Sequence, residues 1–410
     1  MKTKWLLVAA TASVLATPAQ ADMATNWWEV ANRFYLAGQV SSAPRTPDME
    51  RASARTALAM FEAANAIGRR YESHLKLPAA DAKASPDAAV ATAAFKVLVH
   101  HYPANKTILE ESYAMVMAAI PEGPAKLTGV AIGEAAAAAA IPANGIDPAL
   151  EQTSYRPRAA PGEWIGGALP TLDPHWFALK PWMGKMVESL MPPPPPALTS
   201  ETWARDLAEV QRLGARASKD RTPYQTLIAR YRQGYDLSPM VRTIADQPGR
   251  TLLDNARMLA LYQMAMDDAV QVMAIAKLRY DFWRPITAIR NADRDGNDAT
   301  QRDPAWVPLL PTPNFPEYPC GHCTAVAVQT EVLKLVGGMP ASTPVRVAAG
   351  GSPNMVVQSV KSWDELVRQV SDSRMLGGVH HRFSNDAGEE IGRRAARTAV
   401  STLLRPIGKR

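Results

Sequence analysis

Between Asp48 and Tyr71 the apolar residues return every three or four positions. Ala57, Met60, Phe61, Ala64 and Ile67 fall on one side, with Arg51, Arg55 and Arg69 elsewhere. That period is the mark of an amphipathic helix burying one face. The same pattern predicts helices at roughly 86–101, 105–119 and 124–140, the last rich in alanine. From Ile141 to about Leu190 it weakens among prolines, glycines and tryptophans, and Met191 is followed by five prolines, Pro192 to Pro196. Consecutive prolines lack the N–H groups of a helix interior and favour an extended spacer. Beyond it, Ser200 is placed to cap a helix reaching about Ala217, and a long pattern runs from about Thr251 to Tyr280 before stopping at Trp283-Arg284-Pro285. An irregular stretch from about Asn291 to Pro319 separates it from further helices at about 322–336, 359–376 and 386–404.

Alternating β-branched residues are scarce, so the expected class is all-α: two packed helical bundles, with the chemistry in the second. The predicted divisions are an N-terminal helical half over 22–190, a proline-rich connector over 191–198 and a C-terminal bundle over 199–410. Residues 1–21 read as a secretory signal peptide: Lys2 and Lys4, an apolar run from Trp5 to Ala16, then small residues before Asp22. The expected location is the bacterial periplasm or the exterior, with no membrane-spanning segment after signal removal.

Composition narrows the functions. Of the formal charge of +6, two units come from Lys2 and Lys4, leaving +4 on the mature chain. This surplus is scattered, with no aromatic-interleaved patch, which argues against nucleic acid. Only Cys320 and Cys323 could form a disulfide, so packing must hold the molecule together. The acidic turn at Asp293, Asp295, Asn297 and Asp298 has its glycine misplaced for a calcium loop, and Pro304 stands where a bidentate glutamate is needed. It reads as a solvated turn.

Three clusters in the second half carry unusual chemistry: Lys277 with Arg284-Pro285, Pro319-Cys320-Gly321-His322, and Ser373-Arg374 with His380. If the helix ran on, Lys277 and Arg284, seven apart, would lie two turns apart on one face, where a solvated basic face is the plain explanation. Together, however, the clusters offer three cations, a glycine that lets a backbone amide approach, and two imidazoles, one to attack or ligate and one to move a proton. A tetrahedral oxyanion needs this set. His74, His100, His101, His175 and His381 lack such company, and His381, next to His380, is expected to point elsewhere.

In order and spacing the motifs Lys277-x6-Arg284-Pro285, Pro319-Cys320-Gly321-His322 and Ser373-Arg374-x5-His380 resemble the three-part signature of the vanadium-dependent haloperoxidase and type-2 phosphatidate phosphatase superfamily. The flanks Phe282-Trp283-Arg284-Pro285-Ile286-Thr287-Ala288-Ile289-Arg290, Phe315-Pro316-Glu317-Tyr318-Pro319 and Gly378-Val379-His380-His381-Arg382-Phe383 look more like its haloperoxidase branch. The resemblance covers about residues 250–405 at motif level. It implies that Lys277, Arg284 and Arg374 neutralise the oxygens of vanadate or phosphate, with Cys320 and the Gly321 amide completing the pocket. His380 would be the vanadium ligand or the phosphorylated nucleophile, and His322 the acid-base residue. The implied cofactor is vanadate, absent if the protein is a phosphatase. Substrates would be hydrogen peroxide and halide, or a phosphoester, and a homodimer is a family-based expectation.

Three departures stand out. Cys320 replaces the family's usual serine, Phe315 and Ala274 leave the halide open, and Ser384 stands where an aspartate is expected after Arg382-Phe383. Cys320-Gly321-His322-Cys323 is also a dithiol-disulfide motif, but no β-α-β pattern surrounds it. Haloperoxidase, acid phosphatase, dithiol-disulfide oxidoreductase and an anion-binding scaffold without turnover all remain readings.

Overall fold

The computed structural model describes residues 22–40, 47–146, 158–166, 178–338, 345–349 and 356–408. The expected signal peptide lies outside them, as does His175. Helices dominate: α1 (Met23–Val40), α2 (Pro47–Gly68), α3 (Pro86–His101), α4 (Lys106–Ala118) and α5 (Pro124–Ala140) make the first half. In the second half follow α6 (Glu201–Leu213), α7 (Pro223–Tyr231), α8 (Ser238–Ala245), α9 (Leu252–Tyr280), α10 (Pro285–Arg290), α11 (Gly321–Val336), α12 (Trp363–Leu376) and α13 (Arg382–Thr402). Among the described residues no helix is long and apolar enough to cross a membrane.

The mainly helical class stands as expected, and the predicted helices are present. Helices α1, α7, α8 and α10 had not been anticipated, nor had a small antiparallel sheet in the order β1 (Tyr235–Asp236), β2 (Val345–Ala349), β3 (Val356–Val360). The two longer strands pair Val345 with Val360 and Ala349 with Val356. They are valine-rich but only five residues long, too brief for alternation to show against the helical background.

α9 is the axis of the molecule. Its N-terminus is closed by a capping box in which Thr251 and Asp254 satisfy each other's backbone amides. Its 29 residues are apolar on nearly every side, from Leu253 and Leu259 to Val272 and Ala276. A helix of that kind is stable only when surrounded. α2 and α1 pack on it from the first half, and α11 and α13 from the second, so one hydrophobic core joins Trp28, Leu58 and Phe61 to Leu259, Val328, Leu366 and Ile391. Truncating a fully buried leucine such as Leu259 would cost about 2–5 kcal/mol.

α11 and α13 meet at Gly388, where a Cβ would stand 2.4 Å from the Cys320 carbonyl oxygen. The proline-rich stretch runs extended, and its carbonyls are used: Tyr280 donates to Pro192 at 2.7 Å and Tyr318 to Pro193 at 2.9 Å. It is thereby fastened under the residues on either side of the anion motifs.

Candidate active site

The three motifs converge although no two lie on the same helix. Lys277 ends its part of α9 in the last turn, where the helix dipole favours a cation. The helix then breaks at Asp281, whose left-handed backbone (φ 47°) turns the chain, and Arg284 follows as the N-cap of α10. The seven-residue spacing is therefore not a helical repeat. What unites the pair is the segment 315–317, whose carbonyls both side chains grip. Lys277 Nζ donates to Pro316 O at 3.0 Å and Glu317 O at 2.7 Å, while Arg284 Nε donates to Phe315 O at 2.9 Å. The Phe315 ring lies against both cations, 5.4 Å from Lys277 Nζ and 4.8 Å from the Arg284 guanidinium carbon.

The same segment leads through a cis Tyr318–Pro319 bond into α11, with Cys320 as N-cap. Cys320 and Cys323 are joined as a disulfide, both fully buried. Residue 320 then has no hydrogen to offer an oxyanion. Its sulfur instead accepts the Cys323 amide at 3.2 Å, so at this position the structure retains the cap but not the donor expected of a serine. The Gly321 amide heads the helix, and a Cβ at 321 would lie 3.4 Å from the Met273 methyl, which walls this corner.

α12 brings Arg374 in its last turn. The return to His380 passes through Gly378 (φ 76°), where a Cβ would stand 2.6 Å from the Gly214 carbonyl oxygen; glycine alone suits this turn. His380 is held at both ring nitrogens. Nδ1 lies 2.8 Å from Glu317 Oε1, and Arg284 Nη1 lies 3.1 Å from Nε2. With a carboxylate at one side and a guanidinium at the other, the ring carries its proton on Nδ1 and leaves Nε2 unprotonated, accepting from Arg284 Nη1. His381 stacks on Phe383 at 5.1 Å and tilts against Trp203, but its Nδ1 lies 3.6 Å from the same Glu317 oxygen, so it shares the carboxylate with His380.

Charge is unevenly matched here. Lys277, Arg284, Arg374 and Glu317 are all buried, three cations against one carboxylate. Burial and the neighbouring Arg284 push Lys277 well below its ordinary value. Burial brings Arg284 down to about 9 and Arg374 to about 10. Burial also lowers His380, with Arg284 adding to it against the pull of Glu317. For Glu317 burial opposes ionisation, and the interaction with His380, then the hydrogen bond of His381, outweighs it, holding the carboxyl well below its usual range. His322, half-buried, falls to about 3, first through the charge of Arg374 and then through burial. Its Nε2 lies 3.0 Å from the Gln233 carbonyl, which leaves Nδ1 as the basic nitrogen. The Arg374 Nε is buried without a partner. An unsatisfied guanidinium nitrogen amid surplus positive charge is costly unless an anion completes it, so the donor set fits a tetrahedral oxyanion such as vanadate or phosphate.

Two functional residues escaped the sequence reading. Gln233 acts through its backbone, which leaves no side-chain signal. Glu317 directly follows Pro316 within a flank already read as haloperoxidase-like, but nothing local marks it as the partner of a histidine 63 positions away.

A mainly helical fold with a buried, cation-rich cluster is what the comparisons meet. The family model described as the VCPO second helical-bundle domain matches residues 257–409. The vanadium chloroperoxidase of Curvularia inaequalis is 25% identical over an alignment spanning 34% of this chain and 29% of that protein's length. In fold, the chain is similar to a bacterial vanadium-dependent iodoperoxidase (TM-score 0.75, 20% identity, 96% of this chain and 100% of the other). A bacterial vanadium-dependent chloroperoxidase in its apo form is also similar (TM-score 0.66, 15% identity, 88% and 94%). Residues 257–409 thus match that family model, and in fold the chain is similar to bacterial vanadium-dependent haloperoxidases, the resemblance its three motifs carry.

Proposed function

We propose that this chain is a haloperoxidase-type enzyme that oxidises halide with hydrogen peroxide, using vanadate held by His380. The observation that carries the reading is the surplus of buried cations around a histidine whose Nε2 is left unprotonated. Lys277, Arg284 and Arg374 neutralise the oxyanion, and the Gly321 amide adds a neutral donor at the helix N-terminus. Bound vanadate supplies Lewis-acid polarisation of peroxide. His322, neutral at working pH, takes a proton at Nδ1 and returns it to the departing oxygen; the Gln233 carbonyl fixes its ring. Phe315 and Met273 give the pocket an apolar wall, which excludes water from a reacting halide. Export through residues 1–21 belongs to the same proposal.

The second reading is acid phosphatase, favoured by the His380–Glu317 pair, which suits a histidine nucleophile as well as a metal ligand. Burial of both sulfurs at Cys320 and Cys323 disfavours disulfide exchange with a partner protein, whose thiolate could not reach them.

The test is to load the chain from Asp22 onward with orthovanadate and assay bromide- and iodide-dependent halogenation with peroxide, beside phosphoester hydrolysis by vanadate-free protein. His380→Ala is expected to lower the operative activity by about three orders of magnitude or more. Hydrolysis without halogenation would move the chain to the phosphatases. Neither activity in folded protein would leave the anion-binding scaffold.

A further inference from the structure

We infer that Glu317 is the positioning residue for His380, and that it supplies from the segment before α11 the carboxylate that this chain lacks at position 384. The inference rests on the oxyanion reading of the site. Three observations carry it. Glu317 is fully buried and its Oε1 lies 2.8 Å from His380 Nδ1, while the same oxygen accepts the backbone amide of His381 at 2.9 Å. It therefore fixes both the ring and the backbone that bears it. The Ser384 hydroxyl approaches the same Nδ1 at only 3.4 Å, so the position after Arg382-Phe383 still faces the histidine but brings no charge. Finally, the segment holding Glu317 is gripped by the site's own cations, with Lys277 donating to the Glu317 carbonyl and Arg284 to that of Phe315. The residues that would bind the anion thus also set the carboxylate that orients its histidine.

Physically, a carboxylate on Nδ1 locks the tautomer, leaves Nε2 unprotonated beside Arg284 and makes that nitrogen a better donor. A serine hydroxyl at 3.4 Å would do none of this well.

The experiment compares orthovanadate affinity, by calorimetric titration, for the parent protein, Glu317→Gln, and Glu317→Gln combined with Ser384→Asp, each checked for unchanged circular dichroism. Glu317→Gln is expected to weaken binding about 10–100-fold. Ser384→Asp in that background, placing a carboxylate beside Nδ1 from the other side, is expected to recover most of the loss, which a merely structural glutamate would not allow. Glu317→Gln binding as tightly as the parent, or a folded double variant no better than the single one, overturns the inference. In the parent alone, ¹⁵N-labelled histidine should show His380 protonated at Nδ1; the Nε2–H tautomer overturns the inference without any variant. A parent that binds no orthovanadate would instead defeat the oxyanion reading itself.

Discussion

α9 carries two buried charged clusters three turns apart, and they differ in how their charge is matched. Near its middle, Asp267 pairs with Arg51 of α2 at 3.3 Å and accepts the Trp182 indole N–H at 2.6 Å, while Asp268 accepts the backbone amides of Trp182 and Met183. Arg51, with the charge of Arg55 nearby, faces two carboxyls. Burial, aided by neighbouring Asp267, pushes Asp268 up to about 7, so much of the second charge is simply not formed near neutrality. At its end, Lys277 joins Arg284 and Arg374 against Glu317 alone. Burial and Arg284 push Lys277 well below its ordinary value, so its charge is the one most easily shed, but the two arginines resist deprotonation and still outnumber Glu317. Burial is therefore uninformative about role; the sign of the imbalance is what separates a cluster that fastens two halves of the fold from one whose donors fit an anion.

Removing one partner should hurt the first cluster most. Arg51→Met strands Asp267 and is expected to cost about 3–5 kcal/mol in urea unfolding, while phosphate affinity of the folded protein stays within about twofold. A comparable loss of phosphate binding would break the distinction. At the second cluster the expectation reverses: Lys277→Met should weaken phosphate about 10–100-fold, yet leave the anion-free protein as stable as the parent or more so, since it relieves a buried like-charge repulsion. Thermal melts with and without phosphate check both halves of this statement.

The pH dependence differs in sign between the clusters. Asp268, raised from 3.8 to about 7, contributes stability that is complete below pH 3.8 and lost as pH rises through about 7. His322, depressed from 6.5 to about 3 by Arg374 and then by burial, contributes stability present above pH 6.5 and lost as pH falls toward 3. Between pH 4 and 6.5 the two oppose each other. Melting profiles of Asp268→Asn and His322→Gln should deviate from the parent in opposite directions there, and parallel deviations would contradict the assignment.

Much of the fold could be read from one-dimensional pattern. The helices around Met60, Leu259 and Val328 are long and periodic, and helix periodicity needs only local information. The strands Val345–Ala349 and Val356–Val360 were missed because five valine-rich residues look alike in a strand or a buried helix. At the site, Lys277, Arg284, Gly321, His322, Arg374 and His380 were recognisable because their spacing within each motif is fixed by local turns, such as the positive φ at Gly378. Cys320 was legible as a residue but not in its state. A neighbouring cysteine on the first turn of α11 decides that its sulfur caps a helix and has no proton to donate.

By itself, then, the sequence determined the helical class, the three motifs and the residue types able to hold an oxyanion, since each depends on neighbours within about two helical turns. Only the tertiary structure decided which of these meet, which carboxylate serves His380, and that the cations hold the segment presenting it. Contacts such as Glu317 to His380, spanning 63 residues, leave no periodic trace; they exist because α9, α11 and α13 pack into one core.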